Sequence, residues 1–421
     1  MSRDGSDAAG AAGPSRATVN KRGGKSDAAP REASRTPAAI FVAVLIGAAA
    51  IFAAYMIQNM EDTGNVRGPG KYAAAIPALR AVAAQLLHPE KGILAADESP
   101  TTFGARLAGH PNKPTLRQTW RRILLTTPGL ATHISGVILH EETFAQTADL
   151  QAARAAGVLL GIKLDNGTAP MGPKQAGELH TRGLGGLAGR CTTFHTKHGA
   201  SFAKWRAVFR AGAHTPSKAA IRRNSKDLAS YAAAAQKCGL VPIIEPEVLA
   251  DGDHDLSRAA NASARVLRGV FRALKKRGDV DVGAVLLKVA MVTPGSSSVM
   301  AATPEQVAQV TLRVLLGTVP RALPGVVFLS GGQSEELATT HMAALGRLAA
   351  ERRAAGKPLP WALSFSFGRA LQASAMKQWL AGDVPAAQQA LLRRAAANAL
   401  AQQGLAPEAT AAAAVEPADA Q

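Results

Sequence analysis

Short runs of apolar residues alternate along most of the chain with longer segments whose apolar positions recur every three to four residues. Eight apolar runs stand out, at 92–97, 135–141, 157–165, 202–208, 240–248, 284–292, 325–330 and 362–368. Helical patterns at 144–156, 218–238, 256–277, 304–316 and 334–353 separate most of them. Strand and helix in alternation, without hairpin signals, predict an α/β fold with a parallel sheet. Eight repeats over this length favour closure into a (β/α)8 TIM barrel, with an open doubly wound sheet as the competing arrangement.

The ends break this pattern. Residues 1–35 are rich in Ala, Gly, Ser and Arg, show no apolar periodicity and predict a disordered basic arm. No charge lies between Arg35 and Glu61, and 38–57 (AAIFVAVLIGAAAIFAAYMI) is apolar all round and about as long as a helix that crosses a bilayer. The expectation is a single transmembrane helix at 36–60 and a linker at 61–71, giving a membrane-associated protein with a single-pass N-terminal anchor; a buried helix is the competing reading. Basic residues before the span, with Glu61 and Asp62 after it, point the arm to the cytoplasmic side or its organellar equivalent. The barrel is expected over 72–404, and 405–421, dominated by Ala, Pro and Glu, reads as a flexible tail.

Composition narrows the classes. A hydrophobic share of 47% in 421 residues supports a large core and excludes a disordered or disulfide-stapled chain. With 48 Lys plus Arg against 30 Asp plus Glu, the formal charge of +18 favours anionic partners: nucleic acid, membrane surfaces or phosphorylated metabolites. An aromatic share of only 4% leaves few stacking platforms, so nucleic acid is not expected as a partner. Cys191 and Cys238 have no metal-type spacing and read as core packing or as the mark of a reducing compartment.

The polar residues inside the apolar runs carry the chemistry. Strand positions two apart share a face, and Lys163 with Asp165, Lys204 with Arg206, and Glu245 with Glu247 have that spacing near the C-terminal ends of their runs. Asp97 closes the first run, and Lys288 stands alone within VGAVLLKVAMV. Ordinary core strands avoid such groups because burying them unpaired costs several kcal/mol. A barrel mouth accounts for them together, since the C-terminal ends of its strands converge on one pocket. Among apolar neighbours, and with Lys204 as a second positive charge, Lys288 would favour its neutral amine, which attacks carbonyls to form a Schiff base. A structural lysine neutralised by Glu245 or Glu247 is an equal alternative. Ser330-Gly331-Gly332 and Ser366-Phe367-Gly368-Arg369 follow the last two runs, where barrels commonly hold a phosphate, with glycine backbone N–H groups and Arg369 as donors.

The residues also resemble a known family, the class I fructose-bisphosphate aldolases, from about Tyr72 to Gly404. The specific pieces are KGILAADES (91–99), GIKLDNG (161–167), FAKWR (202–206), VPIIEPEVL (241–249) with DGDHDL (251–256), MVTPG (291–295), FLSGGQSEE (328–336) and FGRALQASA (367–375). The resemblance implies reversible cleavage of fructose 1,6-bisphosphate to dihydroxyacetone phosphate and glyceraldehyde 3-phosphate, in glycolysis or gluconeogenesis. It implies Lys288 as the Schiff-base lysine, Glu245 as the acid and base for carbinolamine formation and dehydration, Lys204 and Glu247 as their charge support, and Asp97 as acceptor of the C4 hydroxyl proton. Ser330, Gly331, Gly368 and Arg369 would hold the 1-phosphate, beside Ser366, which the turn position alone makes a phosphate-binding candidate; Ser99, Thr102, Arg106, Lys163 and Arg206 would hold the 6-phosphate end. Trp205 is expected to pack and Asp165 to orient Lys163. An imine supplies the electron sink, so no metal or cofactor is expected. His195, His198 and the loop Asp251 to Asp255 read accordingly as non-ligating. A homotetramer is open, because the family is commonly tetrameric.

Departures from the family pattern surround the chemistry. Val289-Ala290 stands where Pro-Asn is usual, Gly283-Ala284-Val285 where Glu-Gly-Thr is usual, and Phe367 replaces a Tyr beside the phosphate turn. The final residue is Gln421 rather than a Tyr. These changes predict slower enamine protonation, and they motivate an alternative: a catalytically weakened aldolase-fold scaffold tethered to a membrane.

Overall fold

Side-chain alternation along each strand dictates the architecture. The computed structural model describes residues 74–405, all within the unit Asp62–Gln421. The expected arm, the span at 36–60, the linker and most of the tail therefore lie outside the described residues. Among the described residues ten strands occur: β1 (Gly92–Ala96), β2 (Ile134–Leu139), β3 (Leu159–Lys163), β4 (Thr168–Pro170), β5 (Leu179–Thr181), β6 (Phe202–Arg210), β7 (Val241–Leu249), β8 (Leu286–Ala290), β9 (Gly325–Leu329) and β10 (Ala362–Phe367). Eight of them close into a parallel barrel in the order β1-β10-β9-β8-β7-β6-β3-β2. Closure runs through β1, which pairs β2 on one side and β10 on the other, with Ile93 opposite Ser366. The closed barrel displaces the open-sheet alternative.

Two expectations are corrected. A hairpin is present after all: β4 and β5 pair antiparallel between β3 and β6. Its loop, 171–178, is longer than the two-residue turns that mark hairpins in sequence, and its Gly172 and Gly177 both take positive φ. Part of the expected run at 284–292 belongs to other structure, because Asp281 caps a short 3-10 turn, Val282–Ala284, before β8 begins.

Further helices went unread in the sequence: Ile76–Leu86, Pro114–Leu125, Leu187–Thr196, Arg369–Leu380 and Val384–Ala401. In Val384–Ala401 the buried face is mostly alanine, so its apolar stripe is faint. No helix among the described residues is long and apolar enough to cross a membrane.

The barrel has two cores. The larger lies between strands and outer helices. The smaller fills the lower barrel interior with Ile93, Ile138, Phe202, Ile243, Leu286 and Val327, closed from below by Leu79, Ala83 and Leu86 of the first helix. Space there is tight: a Cβ on Gly161 would lie 2.2 Å from the Phe202 ring. Glycine at 161 therefore admits the phenyl group that plugs the interior. Two residues further along the same inward rows, apolar side chains give way to charge: Phe202 to Lys204, Ile243 to Glu245, Leu286 to Lys288, and Ala95 to Asp97.

Candidate active site

These inward positions open into a cavity of about 670 Å³ at the C-terminal ends of the strands. It is lined by Asp97, Lys163, Lys204, Arg206, Glu245, Glu247 and Lys288, all expected from the sequence. Ser99, Thr102, Ser330, Gly331, Ser366, Gly368 and Arg369 also face it.

The centre is a chain of alternating charges. Lys288 Nζ lies 3.1 Å from Glu245 Oε1, Lys204 Nζ lies 3.1 Å from Glu245 Oε2, and the same ammonium lies 2.7 Å from Asp97 Oδ2. Lys163 Nζ donates to Asp165 Oδ1 at 2.5 Å, and Asp165 Oδ2 accepts from the Arg206 backbone N–H at 3.2 Å. Arg206 Nε donates to Glu247 Oε2. Lys204, Lys288 and Glu245 are each no more than 4% exposed, so these interactions are little screened by water.

Burial opposes ionisation of Asp97, but the Lys204 and Lys288 ammoniums outweigh it and hold this carboxyl at about 2. Burial likewise works against charge on Glu245; Lys204, then Lys288 and Arg206, hold it below the usual carboxylate range. For Lys204 burial would lower the value, yet Asp97, Glu245 and Asp165 together raise it. Lys204 is thus a fixed cation between two carboxylates. Glu245 can exchange a proton with Lys288 on one oxygen while Lys204 steadies the other. The apolar surroundings expected for Lys288 are corrected in this respect, because Glu245 faces its amine.

Anion-binding groups flank the chain of charges. Ser330 follows β9, and Gly331 and Gly332 turn with φ of 51° and 87°. Gly368 caps the helix Arg369–Leu380, whose N-terminal end faces the cavity with Arg369. Ser366 Oγ is fully buried among the cavity lining and has no hydrogen-bond partner in the protein. Toward β1, Ser99 caps a short helix and lies 3.0 Å from Thr102, hydroxyl to hydroxyl.

Three expected features fall elsewhere. Arg106 does not line the cavity; it pairs with Glu98, which does. Phe367 is fully buried against Phe365, with ring centroids 5.5 Å apart, so the hydroxyl missing there faces the outer core and not the phosphate turn. Ala290 faces a separate narrow cavity with Val248 and Met291. Trp205 packs as expected, stacked on Tyr231 with centroids 5.4 Å apart, and Asp165 holds Lys163. Sequence reasoning missed His140, Glu141 and Asn166 at the rim. His140 and Glu141 end the 135–141 run, so the rule that singled out Asp97 applied to them too. Burial, then Arg121 and Lys163, hold His140 below its ordinary value. No cluster of three or more metal-ligating side chains occurs among the described residues.

Comparison with known proteins bears on this geometry. A family model described as "Glycolytic: Fructose-bisphosphate aldolase class-I" matches residues 78–418. "Fructose-bisphosphate aldolase 6, cytosolic" of Arabidopsis thaliana is 47% identical, over 77% of this chain and 90% of its own. The cytoplasmic isozyme of Spinacia oleracea is 46% identical, over 80% and 92%. A solved structure of the Plasmodium falciparum fructose-bisphosphate aldolase, in complex with TRAP and a small-molecule inhibitor, matches with a TM-score of 0.73 at 40% identity, covering 79% of this chain and 96% of that one. These findings correct the expected membrane location. The two plant relatives are named as cytosolic or cytoplasmic, and no described helix can cross a bilayer; 38–57 lies outside the described residues.

Proposed function

The chain belongs to the class I fructose-bisphosphate aldolases, carbon–carbon lyases, and from that premise we propose that Lys288 is the amine that captures fructose 1,6-bisphosphate for reversible cleavage. The reading is carried by one observation, the chain Lys288, Glu245, Lys204, Asp97 at the barrel mouth.

Lys288 passes a proton to Glu245 and attacks the C2 carbonyl. Glu245 returns that proton to the carbinolamine hydroxyl, which leaves as water and gives a protonated imine. Asp97, fully ionised, takes the C4 hydroxyl proton. The C3–C4 electron pair moves into the imine, glyceraldehyde 3-phosphate departs and an enamine remains. Protonation at C3 and hydrolysis of the imine release dihydroxyacetone phosphate and restore the amine. Lys204 keeps Glu245 and Asp97 charged and oriented, and Glu247 holds Arg206.

Ser330, Gly331, Ser366, Gly368 and Arg369 fit the 1-phosphate, with the helix N-terminus adding to the positive potential. Ser99, Thr102, Lys163 and Arg206 fit the 6-phosphate end, with Arg106 acting from behind through Glu98. Borohydride reduction in the presence of dihydroxyacetone phosphate is expected to fix a three-carbon phosphate adduct on Lys288, read by peptide mass spectrometry. A folded chain with no adduct there overturns the reading in favour of a scaffold without chemistry. We propose further that the chain assembles as a homotetramer; light scattering that gives a monomer mass overturns this.

A further inference from the structure

The chain's two cysteines take no part in the site described, yet the fold brings them together. Cys191 is fully buried in the helix Leu187–Thr196, and Cys238, half-buried, caps the C-terminal end of the helix Lys218–Lys237. Their side chains are near enough to shift each other's ionisation. Each sulfur also rests on the opposite helix. Cys238 Sγ lies 3.6 Å from Thr192 Oγ1 and 3.6 Å from the Ala188 carbonyl oxygen, while Cys191 Sγ lies 3.9 Å from the Ala234 carbonyl oxygen. A buried thiol with a solvent-reachable thiol against it is the arrangement in which one sulfur meets an oxidant and the other completes the reaction.

We propose that Cys238 and Cys191 form a reversible oxidative modification site, in which a peroxide converts the facing thiols into a disulfide that ties the two helices. Cys238 thiolate attacks a peroxide oxygen, the O–O bond breaks, and Cys238 becomes a sulfenic acid as water or an alcohol leaves. The Cys191 thiol then attacks that sulfur, expelling water and closing the S–S bond. Two thiols lose two electrons and two protons, and the peroxide is reduced to two waters, or to water and an alcohol. The roles are divided by environment. The neighbouring Cys191 thiol draws the Cys238 thiol down to about 6 against the opposing effect of burial, with Thr192 and His195 assisting. Cys191 is pushed far up by the neighbouring Cys238 and by burial, and stays protonated until the sulfenic acid forms.

The position predicts the consequence. Cys238 stands three residues before β7 begins at Val241, whereas Glu245 and Glu247 lie at its middle and beyond. The bond would therefore leave cleavage within about two-fold while closing a long loop in the unfolded chain. Full-length protein treated with hydrogen peroxide is expected to lose both thiols, titrated in urea, and to yield a linked peptide pair two hydrogens lighter, with both effects reversed by a thiol reductant. Its thermal midpoint is expected to rise by roughly 5 °C. Cys191→Ala is expected to accumulate a dimedone-reactive sulfenic acid at Cys238, and Cys238→Ser to leave Cys191 unreacted. Oxidation of Cys238 to sulfinic acid with no linked peptide overturns the proposal, as does survival of both thiols. If Cys191→Ala does not fold, the wild-type peptide map alone decides.

Discussion

The lower and upper halves of the barrel interior are built by the same strands on the same inward face, yet they obey opposite rules. Below, Phe202, Ile243, Leu286 and Val327 meet in a buried apolar plug sealed by the helix Ile76–Leu86. One alternation higher, Lys204, Glu245 and Lys288 take the corresponding rows. The plug gains from every apolar atom removed from water, about 1.5–3 kcal/mol for a side chain the size of Phe202. The upper layer incurs desolvation that its ion pairs have to offset, so it adds little to stability. What the upper layer gains is a proton path. Buried charge two residues beyond a hydrophobic plug is a division of labour between holding the barrel shut and running chemistry at its mouth.

The largest expected effects separate the halves. Lys288→Met is expected to lower kcat by roughly 10⁴-fold or more, because the nucleophile is gone, with an unfolding midpoint close to wild type. Phe202→Ala is expected to do the reverse, costing about 3–5 kcal/mol of stability with activity per folded molecule nearly unchanged. Steady-state cleavage assays paired with denaturant titrations read both. A Lys288→Met protein that keeps near-wild-type activity, or a Phe202→Ala protein as stable as wild type, breaks the comparison.

Glu245→Gln comes next. The amide cannot pass a proton between Lys288 and the carbinolamine, so kcat is expected to fall by roughly 10²–10³-fold. The Schiff base with dihydroxyacetone phosphate should still form slowly, since Lys288 is untouched. Borohydride trapping that proceeds at the wild-type rate would show that Glu245 is a spectator of imine chemistry.

Much of this division was legible in the sequence, because alternation along strands and charge at the ends of apolar runs are local signals. Lys204, Arg206, Glu245, Glu247 and Lys288 were placed on one pocket from spacing alone, and the cavity contains them all. What escaped depended on direction or on distant partners. Whether Phe367 faced phosphate or core turns on which parity points inward, and Ser366 takes the inward place. The paired thiols could not be foreseen, because Cys191 and Cys238 sit on different helices and only the packing of one against the other joins them. Alanine-rich helices such as Val384–Ala401 were missed because small side chains write a weak periodic signal.

A smaller effect probes the electrostatics of the upper half through pH. Asp97 is held at about 2 in the folded chain, below the ordinary value near 3.8 of an exposed aspartate. A carboxyl whose folded value is depressed stabilises the fold above its unfolded value and loses that contribution as pH falls through the folded one. The stabilisation, on the order of 2 kcal/mol, is therefore complete above about pH 4 and fades between 4 and 2. Comparing acid unfolding of wild type and Asp97→Asn reads it: the gap between them should narrow across that interval. A gap independent of pH would mean that Lys204 does not favour the Asp97 carboxylate.

The smallest expected effect concerns Ala290, two residues beyond Lys288, where the sequence comparison placed a catalytically relevant departure. An asparagine there would share the parity of Lys288 and, on the strand pattern alone, would reach the imine. β8 ends at Ala290, however, and the residue lines a narrow space of about 20 Å³ with Val248 and Met291 rather than the catalytic cavity. An amide forced into that space would meet mostly apolar surface and lose hydrogen bonds to water. Ala290→Asn is accordingly expected to change kcat by less than about three-fold while costing about 1–2 kcal/mol of stability. A tenfold rise in kcat without loss of stability would place position 290 at the imine after all. The boundary between the reactive upper layer and the packed wall around it would then lie one alternation higher on β8.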